Sequence, residues 1–171
     1  MAVSDLIPFI FIAVTLLGAI VQISRTRTRV SQAKKAEILL NWAFVIIIGL
    51  GGIWGFIGHT FFADRVAESI GWATGNPFQQ EVAIANLSIA ILGILAVRIE
   101  GTFRIATLIA YTTFMVGAGV VHIWQIITVQ NMAVNNAGPA LWIDILMPLV
   151  LIGLYLISIH LARDEARPSL R

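Results

Sequence analysis

Apolar residues occur in long unbroken blocks separated by short polar stretches, and the block length fixes the kind of element. Runs over about residues 6–23, 38–59, 81–97, 104–128 and 140–161 each suit a bilayer crossing, because a hydrocarbon core of about 30 Å takes roughly 20 residues of helix. No alternating strand pattern suggests a barrel, and a segment inside lipid must satisfy its own backbone hydrogen bonds, so all five runs are predicted as helices. The expected fold is all-α: a polytopic membrane protein of five transmembrane helices forming one integral membrane domain over residues 1–171. The first run has Asp5 rather than a basic segment before it and no small-residue cleavage site after it, so it is expected to stay as a helix.

The connection at residues 60–80, TFFADRVAESIGWATGNPFQQ, is too patterned for a linker. Phe62, Val66 and Ile70 share a helical face, with Asp64 and Glu68 one turn apart, which predicts a short helix lying in the membrane interface. Gly71 and Gly75 then break it. Asn76, Pro77 and Gln79 form a helix start, with Asn as N-cap, Pro at the first helical position and Gln three residues after the cap. Glu81 follows where the helix dipole favours a negative charge. In the last connection Gly138 and Pro139 repeat the device, placing Asp144 about 7 Å into the fifth helix.

Composition agrees with the pattern. Of 171 residues, 58% are hydrophobic and 12% charged, against about 45–50% and 25% in soluble domains. That leaves no room for a nucleotide-binding, catalytic or nucleic-acid-binding domain outside the membrane. With no Cys, disulfides and thiolate chemistry are excluded.

Charge gives the expected orientation. Arg25, Arg27, Arg29, Lys34, Lys35, Arg98, Arg104, Arg163, Arg167 and Arg171 fall on one side, leaving only Arg65 on the other. The positive-inside rule makes the basic side cytoplasmic, so the N-terminus is extracytoplasmic and the C-terminus cytoplasmic, as an odd number of spans in the inner (plasma) membrane requires. With Glu37, Glu100, Asp164 and Glu165 that side carries a net +6, while Asp5, Asp64, Glu68, Glu81 and Asp144 against Arg65 give −4 outside. The basic balance is therefore a topology signal, and the expected partner is the lipid bilayer rather than nucleic acid.

Several motifs are familiar together: Gly58-His59-Thr60-Phe61-Phe62-Ala63-Asp64, Ile70-Gly71-Trp72, Asn76-Pro77-Phe78-Gln79 with Glu81 and Asn86-Leu87, and Asn136-Ala137-Gly138-Pro139 with Asp144. Over about residues 37–156 the chain resembles a family of small prokaryotic integral membrane proteins of unknown function. The resemblance implies a membrane fold and no activity.

The candidate chemistry gathers at the extracytoplasmic face. His59 ends the second span there, and His122 lies about 27 Å along a helix starting at Arg104 on the opposite side. Asp64, Glu68, Glu81 and Asp144 fall at the same level. Imidazoles and carboxylates are the donors of a divalent metal site, with His59, His122, Glu81 and Asp144 as first candidate ligands and Asp64 and Glu68 as further ones. A haem b between the two histidines is the second cofactor reading. Gly51, Gly52, Gly55 and Gly58 before His59, and Gly117 and Gly119 before His122, could admit a flat macrocycle. The same glycines, including Gly51 with Gly55 as a GxxxG pair, equally serve close helix packing.

A third reading gives the polar residues a locking role in a non-enzymatic accessory subunit or a small-solute carrier, and a fourth is a proton-coupled carrier using Glu81 or Asp144. Five spans cannot form an inverted repeat of equal halves, which counts against a transporter acting alone. A homo-oligomer or a membrane-complex partner stays open. Asn41 and Asn86 are expected to hydrogen-bond across helices, Pro148 to kink the fifth span, and His160 to sit at the interface. The chain carries no phosphate loop, Ser nucleophile motif or HExxH, and neither an enzyme nor a non-enzyme is indicated.

Overall fold

In a computed structural model, residues 3–26 and 28–167 are described, residues 3–5 by their backbone alone. The predicted charges of Asp5, Arg27 and Arg171 lie outside the described side chains. The described residues contain helices and no strands. In chain order these are α1 (Val3–Arg25), α2 (Gln32–Ala43), a π-helical stretch (Phe44–Leu50), α3 (Gly51–Phe61), α4 (Ala63–Ile70), α5 (Phe78–Leu95), α6 (Thr102–Val129), α7 (Val134–Ala137) and α8 (Pro139–Ala166). Since α2, the π stretch and α3 run together as Gln32–Phe61, five helical segments are long and apolar enough to cross a membrane.

The core lies where four of these segments meet. Leu40, Ala43, Phe44 and Ile48 pack with Ile89 of α5, Ala96 just beyond its end, Leu108 and Tyr111 of α6, and Met147 and Leu151 of α8. Helix α1 is peripheral, resting mainly on α2 and the π stretch and leaving Leu17 and Ile20 more than half exposed.

Glycine decides how closely α5 approaches. A Cβ on Gly52 would stand 2.8 Å from the Asn86 carbonyl oxygen, and one on Gly55 would stand 2.7 Å from the Asn86 side chain. Gly93 answers from α5 by accepting Ile48, whose Cγ2 would lie 2.7 Å from an added Cβ. The packing pair is thus Gly52 with Gly55 rather than the predicted Gly51 with Gly55. Nothing comes closer than 3.8 Å to a Cβ built on Gly51.

At the basic end, Ser31 caps α2 through the Lys34 amide, and the Ala33 amide donates to Glu165 of α8 at 3.0 Å. Arg104, although predicted only as a loop charge, is buried. Its Nε donates to the Ala96 carbonyl at 2.9 Å and its Nη2 to Asn41 Oδ1 at 2.7 Å, with the guanidinium over the Phe44 ring at 5.9 Å. Asn41 makes the expected inter-helix bond. Asn86 does not, because its amide donates to Val82 in its own helix. His160 is exposed and pairs with Asp164 at 3.2 Å.

Candidate functional site

The opposite, acidic end is built from the loops that the sequence marked. Helix α4 forms as predicted but shorter, with Ala67 and Ile70 as its buried face. Phe62 turns outward beneath the Arg65 guanidinium, 5.9 Å from its ring centroid. Gly71 ends α4 in the left-handed region at φ 79°, a conformation that suits a residue with no Cβ. Asp64 accepts a hydrogen bond from the Gly75 amide at 2.8 Å, which closes the loop.

Asn76 caps α5, its Oδ1 accepting from the Phe78 amide at 2.9 Å. Gln79 departs from the predicted capping role. Its side chain is buried, and the Nδ1–H of His59 donates to its Oε1 at 2.6 Å. One helical position carries both the cap spacing and a tertiary contact, and the inter-helix bond to a partly buried imidazole takes the amide.

The second histidine sits in a denser network. His122 and Asn136 are both buried, with Nδ1 of His122 2.8 Å from Asn136 Oδ1. The Asn136 amide nitrogen donates to the Asn131 carbonyl at 2.7 Å and to the His122 carbonyl at 3.4 Å. Those two bonds orient the amide and make Oδ1 the acceptor, so Nδ1 of His122 carries its proton. Nε2 then points its lone pair, or a second proton, toward Asp144 Oδ2 at 3.6 Å. The indole of Trp72 stacks on the ring, centroids 6.3 Å apart and planes inclined by 30°.

The asparagine-rich loop holds this arrangement. Asn131 donates to the Ile70 carbonyl and Asn135 to Ser69 Oγ, each at 2.9 Å, fastening the loop to α4. A Cβ on Gly138 would collide with the Val134 carbonyl oxygen, so only glycine fits between α7 and α8. Pro148, buried inside α8, has no N–H to donate to the Asp144 carbonyl four residues earlier.

A cavity of about 360 Å³ is lined by Gly71, Trp72, Ala73, Asn76, Phe78, Gln79 and Gln125, with neither histidine in its wall. Gln79 connects its wall to His59, and Trp72 connects it to His122.

Of the predicted ligands, His122 and Asp144 come together. His59 pairs with Gln79 instead, Glu81 and Glu68 are exposed, and Asp64 is occupied by the loop. Among the described residues no group of three or more His, Asp or Glu side chains is placed to hold a metal ion. Of the glycines read as room for a macrocycle, Gly52 and Gly55 are filled by α5 and Gly119 by Ile145, which would lie 2.9 Å from its Cβ, whereas nothing lies within 4 Å of a Cβ on Gly117. Gln79, Asn136 and Trp72 were missed as site residues. The cluster Asn131, Asn135, Asn136 in an otherwise apolar sequence was the available signal for the loop, whereas Gln79 gave none beyond its cap spacing.

The model of a family of unknown function, DUF6790, matches residues 5–164, so the chain belongs to that family. No curated protein and no solved structure matches it.

Proposed function

We propose that this member of the DUF6790 family is a non-enzymatic multi-pass membrane protein that handles a proton at its extracytoplasmic face, with His122 and Asp144 as the pair that holds it. The observation that carries the reading is the tautomer imposed by Asn136. With Nδ1 protonated, a neutral His122 offers only a lone pair to Asp144, and a lone pair facing a carboxylate is repulsive. The pair is satisfied by one further proton, held on Nε2 or on the carboxyl group, directly or across one water at a separation of 3.6 Å. Ionisable groups inside a membrane segment are costly to keep and characteristically belong to proton or solute paths. Trp72, which stacks on His122, also lines the neighbouring cavity, and the amide side chains of Asn76, Gln79 and Gln125 in its wall suit a small polar solute.

The orientation rests on the Lys and Arg distribution, which supports a cytoplasmic basic end and an extracytoplasmic site. Infrared difference spectra of the protein in liposomes, recorded across neutral pH, test the pair. A carboxyl C=O band that appears on acidification, vanishes in Asp144→Asn and moves in His122→Gln is expected. A wild-type spectrum identical to that of Asp144→Asn would overturn the proposal.

A further inference from the structure

The basic end carries a second concavity that the proton site does not use. A groove of about 610 Å³ runs between α1 and α2, its apolar length formed by Val14, Leu17, Gly18 and Val21 and its mouth by Arg25 and Thr26. Gly18 creates the depth. A Cβ there would stand 2.6 Å from the Trp42 ring, so the indole lies directly on the backbone of α1 and forms the floor. Trp42 Nε1 donates to Gln22 Oε1 at 2.7 Å, so the indole N–H is satisfied and the rest of the ring presents hydrocarbon to the groove.

The charge lies only at the mouth. Arg25 is exposed, and among the described residues no carboxylate pairs with it. From Val14 to Arg25 the helix rises about 16 Å, close to the hydrocarbon depth of one leaflet, which is half of about 30 Å. A groove that is apolar over one leaflet and cationic at headgroup depth matches a phospholipid lying along it.

We propose that this groove binds one anionic phospholipid, its acyl chain over Trp42 between α1 and α2 and its phosphate at Arg25. The occupant is anionic because the mouth offers a fixed cation and no acid, and the groove is walled on one side by α1, whose other contacts are few. The lipid would complete the packing of that helix.

The full chain in phosphatidylcholine nanodiscs, titrated with phosphatidylglycerol brominated on its acyl chain, tests this. The Trp42 signal is the difference between wild type and Trp42→Phe. Saturable quenching is expected, with Arg25→Ala raising the half-saturating lipid fraction about fivefold, as the loss of one basic residue near an anionic surface implies. Native mass spectrometry needs no change at Trp42 and should find one phosphatidylglycerol retained by wild type and by a smaller fraction of Arg25→Ala. Quenching that rises linearly, is equal for brominated phosphatidylcholine, or ignores Arg25→Ala overturns the proposal, as does equal lipid retention by both proteins.

Discussion

Each end of the bundle buries a nitrogen-rich side chain against an asparagine, and the two arrangements have opposite consequences. At the basic end Arg104 bonds Asn41 and the Ala96 carbonyl, 2.7 and 2.9 Å away. A guanidinium does not give up its proton under ordinary conditions, so this contact is a fixed clamp joining α2 to the turn between α5 and α6. At the acidic end His122 bonds Asn136 in the same way but turns its other nitrogen to a carboxylate 3.6 Å away. An imidazole can gain and lose a proton where a guanidinium does not, so the proposed proton site, unlike the staple at Arg104, draws on chemistry that only the histidine offers.

The sharpest way to break the comparison is to remove the clamp. Arg104→Met leaves the buried Ala96 carbonyl and the partly buried Asn41 Oδ1 without their donor, a cost of about 3 kcal/mol at roughly 1–2 kcal/mol per orphaned group. Thermal unfolding in detergent should record a fall in Tm as large as that of any variant considered. Gly138→Ala tests the loop that supports the proposed proton site. Its Cβ has no space beside the Val134 carbonyl, and about 3 kcal/mol of destabilisation is expected, at the upper end for overpacking.

Asn136→Ala separates orientation from stability. It orphans the Asn131 carbonyl and frees the His122 ring, costing about 2 kcal/mol. Nitrogen NMR of His122 should show Nδ1 and Nε2 both populated as the protonated nitrogen, where wild type holds one tautomer. Asp144→Asn sharpens the contrast further: stability should change by less than about 1 kcal/mol, while the titration of His122 followed by the same spectra moves. If that titration is unaffected, the two side chains are not coupled and the acidic end is a second staple. Glu81→Gln is the smallest change, within about 0.5 kcal/mol, because an exposed carboxylate with no partner among the described residues leaves nothing to lose.

The outer loop contrasts what one dimension can carry with what it cannot. Asn76 followed by Pro77 marked the start of α5 correctly because a cap depends on residues adjacent in the chain. Gln79 was assigned to the same cap, yet its partner His59 is 20 residues away on another helix. Gly51 and Gly55 matched a familiar spacing, but it is Gly52 and Gly55 that face α5. Arg104 counted correctly as a charge on the basic side, and no local rule foretold its burial.

The sequence alone determined that five helices are long and apolar enough to cross a membrane, their bounds to within about six residues, and the grouping of basic residues in alternate connections. Those properties follow from helix length against a fixed hydrocarbon thickness and from the solvation of each residue, both of which sum along the chain. The tertiary structure alone decided which polar groups meet. It joined His122 to Asp144 and Asn136, sent His59 to Gln79, left Glu81 in the open, and placed Trp42 on Gly18. Such pairings depend on the rotation of each helix about its own axis. Depth in the membrane leaves that rotation free, and close packing fixes it.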